Sequence, residues 1–191
     1  MNPEIIAYYD RLAPTYDQDR FGNSYGRFVD ARERVLLARW LDGKRDVLEI
    51  ACGTGRLSGF ASIACDASGA SLRVARERHT SLTLVAADAM RLPFADGTFD
   101  AVYGFHLLMH LDLTSVRAVI AEASRLLRPQ GVLILDIVSA LRRQLLPRRP
   151  VDQAWHGRTA LSVRAFRALC AAQGLTCAEM TGLLFMPVQR L

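Results

Sequence analysis

Lysine is almost missing from this chain. Lys44 is the sole example, so 23 of the 24 basic side chains are arginines. That skew reflects coding bias as much as functional demand, and the formal net charge of +5 singles out no anionic partner. Long apolar runs are missing too. None approaches the roughly 18 residues that would span a bilayer, so no transmembrane segment is expected. The opening Met1-Asn2-Pro3-Glu4 lacks the basic and apolar regions of a signal peptide, which predicts a cytoplasmic location. Cysteine is scarce: Cys52, Cys65, Cys170 and Cys177 form no Cys-x-x-Cys pair, and they read as buried free thiols rather than disulfides or metal ligands. There are no internal repeats and no low-complexity segments. What remains is a chain of 191 residues, 51% apolar and 23% charged, the profile of one soluble globular domain with a sizeable core.

Helical and extended patterns alternate along it. Residues 3–12 and 25–41 read as helices, the second with a loose apolar face of Phe28, Val29, Val35, Leu36, Ala38 and Trp40. Between them, Ala13-Pro14-Thr15-Tyr16-Asp17 is a break carrying proline. Four of the five tyrosines (Tyr8, Tyr9, Tyr16, Tyr25) fall in this N-terminal segment. Candidate strands are 46–52, 62–66, 82–87, 99–105, 131–138 and 177–185. The intervening helices are a short one after Gly55 and three more over about 69–79, 114–128 and 162–173. This order predicts an α/β domain with a largely parallel sheet and right-handed crossovers.

The chemistry begins at Val47-Leu48-Glu49-Ile50-Ala51-Cys52-Gly53-Thr54-Gly55-Arg56-Leu57. An apolar strand carrying one carboxylate runs into a Gly-x-Gly turn. Gly53 and Gly55 have no Cβ, so the backbone can turn sharply and come close to a ligand. Free N–H groups at a helix start just beyond would face that ligand. A nucleoside-bearing cofactor at a strand's carboxyl end is the expected occupant. Ser58 stands where a dinucleotide fingerprint has its third glycine, which makes a nicotinamide oxidoreductase the weakest reading. Asp66, in Ala64-Cys65-Asp66-Ala67-Ser68, ends the second strand and is placed to accept from both ribose hydroxyls. Asp88, in Ala87-Asp88-Ala89-Met90-Arg91-Leu92-Pro93-Phe94, ends the third strand. It can accept from an adenine amine while the Ala89 N–H reaches a ring nitrogen. Phe99-Asp100-Ala101-Val102-Tyr103-Gly104-Phe105, leading into His106 through His110, forms the other wall.

With these motifs in order, and with Tyr16-Asp17 before them and Arg128-Pro129-x-Gly131 after, the chain resembles the class I S-adenosylmethionine-dependent methyltransferases over about residues 8–175. The similarity is nearest to the small-molecule and quinone-type branch, methyltransferase type 11. The resemblance implies a Rossmann-like fold: a mostly parallel twisted sheet with helices on both faces and an N-terminal helical lid. Asp66 follows Gly55 by only 11 residues, so the first helix should be shortened, and the C-terminal strand pair should be abbreviated. A single methyltransferase domain over 1–191 is implied, with a lid over 1–41, a cofactor-binding core over 42–140 and a substrate-side loop, helix and last strand over 141–191. The implied cofactor is S-adenosyl-L-methionine. Gly53, Thr54 and Gly55 would pack on its methionine part, and Glu49 would orient that part through its amino group or a water. Asp66 and Ala67 would hold the ribose, Asp88 and Ala89 the adenine. Phe105 would lie beside the sulfonium, and Tyr16 would close over the methionine carboxylate. Ala51 stands where the family often has a further glycine.

Each of these residues also has a plainer reading. Asp66 and Asp88 could cap the segments that follow them, and Glu49 could serve structure with loop partners. His106, His110 and His156 are candidate general bases. His110 reads as structural, His106 and His156 stay open, and a His106–His110 metal pair lacks a third ligand, so no metal is expected. Because the sulfonium is already activated, an amine or thiol acceptor gains little from a base, and no catalytic residue is assigned. Arg142, Arg143, Arg148 and Arg149 are either a solvated basic loop or a holder of an anionic acceptor. The expected function is methyl transfer to a small-molecule or lipid-like acceptor. The alternatives are an RNA methyltransferase, for which aromatic–basic interleaving is missing, and a non-catalytic relative. No DNA or RNA partner is expected.

Overall fold

Val47, Leu48, Glu49 and Ile50 are buried at every position, as a central parallel strand requires, and they form β1 (Val47–Ile50) in the middle of a sheet. In the computed structural model, which describes residues 2–145, 155 and 158–182, β1 pairs in parallel with β2 (Ile63–Asp66) on one side and β4 (Phe99–Gly104) on the other. β3 (Thr83–Ala86) and β5 (Leu127–Leu135) complete the order β3-β2-β1-β4-β5, with every pairing parallel. The chain steps outward from β1 to β3 and then returns to β4 beside β1. That reversal opens a crevice at the carboxyl ends of β1 and β4, the place where open α/β sheets bind ligands.

Among the described residues, seven helices accompany the sheet: α1 (Pro3–Leu12), α2 (Tyr16–Phe21), α3 (Ser24–Trp40), α4 (Gly69–Arg78), α5 (Leu113–Leu126), α6 (Ala140–Leu145) and α7 (Val163–Ala171). Their starts are set by side chains that satisfy orphan backbone donors. Asn2, Asn23, Ser68, Asp112 and Ser162 each accept a backbone N–H from the first turn of α1, α3, α4, α5 and α7. On one sheet face Leu48, Ile50 and Val102 pack against Val116, Val119, Ile120 and Ala123 of α5. On the other, Val47, Ala101, Tyr103 and Ile134 pack against Leu37 at the end of α3 and Leu41 just beyond it.

The structure departs from the sequence expectations in local places, each with a physical cause. The proline break holds only a turn, and α2 forms directly after it. The buried stripe of α3 is Gly26, Val29, Glu33 and Leu37, whereas Phe28 and Val35 are 45% and 62% exposed; the face is rotated toward a glutamate. The helix after Gly55 is a single 3-10 turn, Ser58–Phe60, because the crossover to β2 leaves no room for more. α5 stops at Leu126, and β5 begins at once. Arg128 is drawn to Asp46 and Asp100 at 2.7 Å each, and Gln130 turns at φ +67° before the regular register resumes at Val132. Of the last expected strand, residues 177–182 carry no strand and 183–185 lie outside the described residues. Cys52 and Cys65 are buried, but Cys177 is exposed.

Candidate functional site

The crevice at the sheet's carboxyl end is a cleft with an internal cavity of about 100 Å³ that opens to solvent. Its floor is the turn after β1. Ala51, Gly53 and Gly55 all take left-handed backbone angles there (φ +53°, +55° and +77°). The two glycines serve different ends. A Cβ on Gly53 would meet no atom within 4 Å, so the backbone there faces open space. One on Gly55 would sit 3.0 Å from Ala75 Cβ and 3.1 Å from His79 Cδ2, so this glycine lets α4 close on the turn. A His79 ring nitrogen lies 2.7 Å from the Gly55 carbonyl oxygen.

Asp66, at the end of β2, locks this turn. Its Oδ2 accepts the Gly53 N–H at 2.8 Å, and its Oδ1 accepts the Ser68 N–H at 2.7 Å. Burial pushes its carboxyl up, against the pull of the backbone donors of Ser68, Gly53 and Ala67. Glu49 is 4% exposed and its Oε2 accepts the Ser58 hydroxyl. Burial raises its carboxyl to about 8, although Ser58 and the Arg56 charge pull it down. Burial thus favours the protonated form of Glu49.

The roof comes from α1 and α2. Asp17 accepts the Thr54 hydroxyl at 2.7 Å and the Arg78 guanidinium at 2.5 Å, tying α2 to the glycine turn and to α4. Asp10 does the same for α1, accepting the Ser68 hydroxyl at 2.6 Å and the Ala70 N–H at 3.1 Å. Tyr16 packs edge-on to Tyr9 and Phe21, and burial pushes its phenol up to about 12. The Tyr9 hydroxyl lies 2.9 Å from His110 Nε2, and Trp155 stacks edge-on to both Tyr8 and His110.

Most of the residues singled out in the sequence meet at this cleft. Glu49, Gly53, Thr54, Asp66 and Ala67 line it from the first two strand ends; Ala89, Phe105 and His106 line it from the next two, and Tyr16 from α2. Gly55 packs behind the turn instead. Asp88 turns back on its own loop, where Oδ1 accepts the Met90 N–H at 2.9 Å, and it is Ala89 that faces the cleft. Asp100 of the Phe99-Asp100 motif serves the opposite end of the sheet. It gathers Arg128 and the N–H groups of Arg45 and Asp46, which hold its carboxyl down to about 2. Arg143 bonds the carbonyls of Arg158 and Thr159. Arg148, Arg149 and His156 lie outside the described residues.

Two cleft-side residues escaped the sequence reading. Arg56, immediately after the glycine turn, reaches Asp30 at 2.5 Å and Glu33 at 2.6 Å, with its guanidinium 3.8 Å from the centre of the Phe21 ring. Glu33 is fully buried between Arg56 and His106. The available signal was its spacing, four residues from Val29 and four from Leu37, which puts a carboxylate inside the buried stripe of α3. Among the described residues, no group of three or more His, Cys, Asp or Glu side chains is arranged to hold a metal, and no helix is long and apolar enough to cross a membrane.

Comparison with known proteins gives a consistent answer. The family described as a methyltransferase domain matches residues 48–135. A demethylmenaquinone methyltransferase of Thermobifida fusca is 35% identical over 164 residues, covering 78% of this chain and 65% of the relative. One from Renibacterium salmoninarum is 33% identical over 139 residues, covering 69% and 57%. The chain thus spans less than two thirds of the length of these curated relatives. The crystal structure of the PH0226 protein from Pyrococcus horikoshii superimposes with a TM-score of 0.69 at 26% identity, covering 86% of this chain and 88% of that one. With its parallel sheet and glycine turn, the chain belongs to the class I S-adenosylmethionine-dependent methyltransferases, in the type 11 branch.

Proposed function

We propose that this chain transfers the sulfonium methyl group of S-adenosylmethionine to a small, lipid-like acceptor. The observation that carries this reading is the convergence of Gly53, Asp66 and Ala89, from three successive strand ends, on one lidded cleft. The residues present suit the cofactor. The open space over Gly53 leaves room for its methionine part beside Glu49, and a proton lost from Glu49 would give an anion facing the amino group. Asp66 keeps lone pairs for ribose hydroxyls after its two backbone bonds, since a carboxylate has about four acceptor sites. Ala89 offers its backbone to the adenine, with Asp88 bracing the loop behind it. When bound, the cofactor supplies an activated methyl group. The chain's own part is orientation and exclusion of water, with Tyr16, Phe21 and Phe105 closing apolar rings over the reacting end.

The relatives' activity on demethylmenaquinone supports an aromatic, prenylated type of acceptor, and Ile5, Leu107 and Leu111 give the cleft an apolar wall for it. In this reading residues 1–41 act as lid, 42–140 as cofactor core and 141–191 as the acceptor side. The protein works in the cytoplasm on a small molecule, without a nucleic-acid partner. The test is calorimetric binding of S-adenosylhomocysteine, followed by radiolabelled methyl transfer to a panel of quinols, with Asp66→Ala as control. A wild-type chain that binds no S-adenosylhomocysteine would sink the reading.

A further inference from the structure

The helix that follows a strand in a parallel sheet starts at that strand's carboxyl end. α5 follows β4 in this way and α6 follows β5, with α7 next in the chain. Hydrogen bonds among these segments close them into one rim beside the cleft. Thr159 donates its N–H to the Met109 carbonyl at 3.1 Å and its hydroxyl to the Leu111 carbonyl, and Leu107 and Leu111 line the cleft. Ala140, the first residue of α6, donates its N–H to the Leu161 carbonyl at 3.0 Å, and the Leu161 N–H donates to the Val138 carbonyl at 3.0 Å. Arg143 fastens α6 further, donating to the carbonyls of Arg158 and Thr159 at 3.1 and 3.3 Å. α6 is thus held against the segment that walls the cleft, and α7 begins just beyond Leu161.

This rim carries exposed apolar side chains. Leu141 and Leu145 stand four apart, hence on one face of α6, and are 56% and 72% exposed. Leu113 and Val163, the first residues of α5 and α7, are exposed as well. Single exposed leucines are ordinary; here they gather on the rim of one cleft, interleaved with arginines. Arg142, Arg158, Arg164 and Arg167 are all exposed, and between Asp136 and Glu179 the sequence has Asp152 as its sole acid. Asp112, which caps α5, lies within reach of the Arg158 charge and offsets part of it.

We propose that this rim is a docking surface for an anionic bilayer: Leu113, Leu141, Leu145 and Val163 enter the boundary between headgroups and acyl chains, while the four exposed arginines meet lipid phosphates. The charge matches, because an anionic leaflet attracts basic side chains near its surface, and arginine stems lie along apolar surface with the guanidinium in the headgroup layer. The relief matches too. A bilayer takes up protruding leucines without a fitted pocket, as it does the apolar face of an interfacial helix, whereas a protein partner needs a surface of complementary shape. The docking requires no cofactor, so it stands independently of the methyl-transfer reading. Its consequence for that reading is access: the cleft mouth lies beside the membrane, and a lipid-like acceptor passes to it without crossing bulk water.

Vesicle co-sedimentation of the full chain tests this surface. The protein should bind vesicles of phosphatidylglycerol and phosphatidylcholine, bind pure phosphatidylcholine vesicles at least about tenfold more weakly, and lose affinity as salt screens the charges. Leu141→Ser combined with Leu145→Ser should weaken binding to the anionic vesicles at least about tenfold. Arg164→Gln combined with Arg167→Gln should weaken it about 30-fold, roughly fivefold for each charge. All four residues lie outside the cofactor cleft, so the urea midpoint should stay close to wild type and exclude misfolding. Arg32→Gln combined with Val35→Ser, an exposed basic and apolar pair on α3, should leave vesicle binding unchanged. No binding to the anionic vesicles at low salt, equal affinity for both kinds of vesicle, leucine variants that bind like wild type, or an equal loss in the α3 pair overturns the proposal. A structured RNA that displaces the vesicles and binds the leucine variants as well as wild type assigns the face to nucleic acid. A dimer in sedimentation that the leucine variants dissolve, with no vesicle binding, assigns it to a second copy of this chain. Either result overturns the bilayer as partner.

Discussion

Asp66 Oδ2 accepts the Gly53 N–H at 2.8 Å, so the end of β2 holds the glycine turn after β1 in place. The same carboxylate shapes the turn and faces the cleft. Asp66→Ala should therefore weaken S-adenosylhomocysteine binding by about 10–100-fold, the scale of a lost charge-assisted hydrogen bond of ~1.5–3 kcal/mol. Asp66→Asn, which can still accept the Gly53 N–H, should fall between. Calorimetry that gives all three proteins the same affinity would remove Asp66 from the cofactor site.

Glu49 should make the ligand-free protein less stable as pH rises. Its folded-state value is about 8, raised from the ordinary glutamate value by burial. A carboxyl raised on folding contributes stability that is complete below the ordinary glutamate range and is lost as pH climbs through about 8. The full swing is on the order of 3–5 kcal/mol. Glu49→Gln should flatten this slope and raise the urea midpoint at pH ~8. An identical pH profile for the two proteins would show that Glu49 titrates normally.

Cofactor binding should release protons near neutral pH, because an ammonium group brought beside Glu49 favours its ionised form. Calorimetry of S-adenosylhomocysteine in buffers of different ionisation enthalpy should detect the release in wild type and not in Glu49→Gln. Equal heats across buffers for the wild type would contradict it.

Ala51 takes φ +53° at the start of the turn, a conformation that costs a non-glycine residue roughly 1–2 kcal/mol. Glycine relieves that strain but loses about 0.5–1 kcal/mol of chain entropy. Ala51→Gly should therefore stabilise the protein by about 0.5–1 kcal/mol, a rise of ~1–4 °C in Tm for a chain of this size. A lower Tm by calorimetric melting would mean that the Ala51 methyl makes packing contacts worth more than the strain.

Gly104 marks the opposite case. A Cβ there would come within 2.6 Å of Ile50 Cγ1 and 2.8 Å of the Ile50 carbonyl oxygen. The oxygen belongs to the β1 backbone and cannot move aside. Gly104→Ala should cost about 2 kcal/mol or more, in the upper range for overpacked cores, read as a lower urea midpoint. Wild-type stability in this variant would show that β1 and β4 can separate without penalty.

Much of the fold could be read from local pattern. The four buried positions of β1 and the alternation of strands and helices are properties of short windows, governed by side-chain period. The errors arose where a distant partner outweighed the local preference. Arg128 leaves α5 for Asp46 and Asp100, so helix and strand meet earlier than periodicity suggested. Phe28 and Val35 look like core on apolarity alone, but Glu33 is buried in their place because Arg56 and His106 are there to receive it.

The sequence by itself determined the parallel α/β order, the left-handed glycine turn after β1 and the acid that follows at Asp66, because each depends on residues close together in the chain. Only the tertiary structure decided what the acids do. Asp66 faces the cleft, Asp88 braces its own loop, Asp100 clamps the far end of the sheet, and Glu33 is carried on α3 to the ring of His106. Strand-end carboxylates look alike in sequence; their roles follow from which donors the packed helices and loops bring within hydrogen-bond reach, and that is a property of the assembled layers.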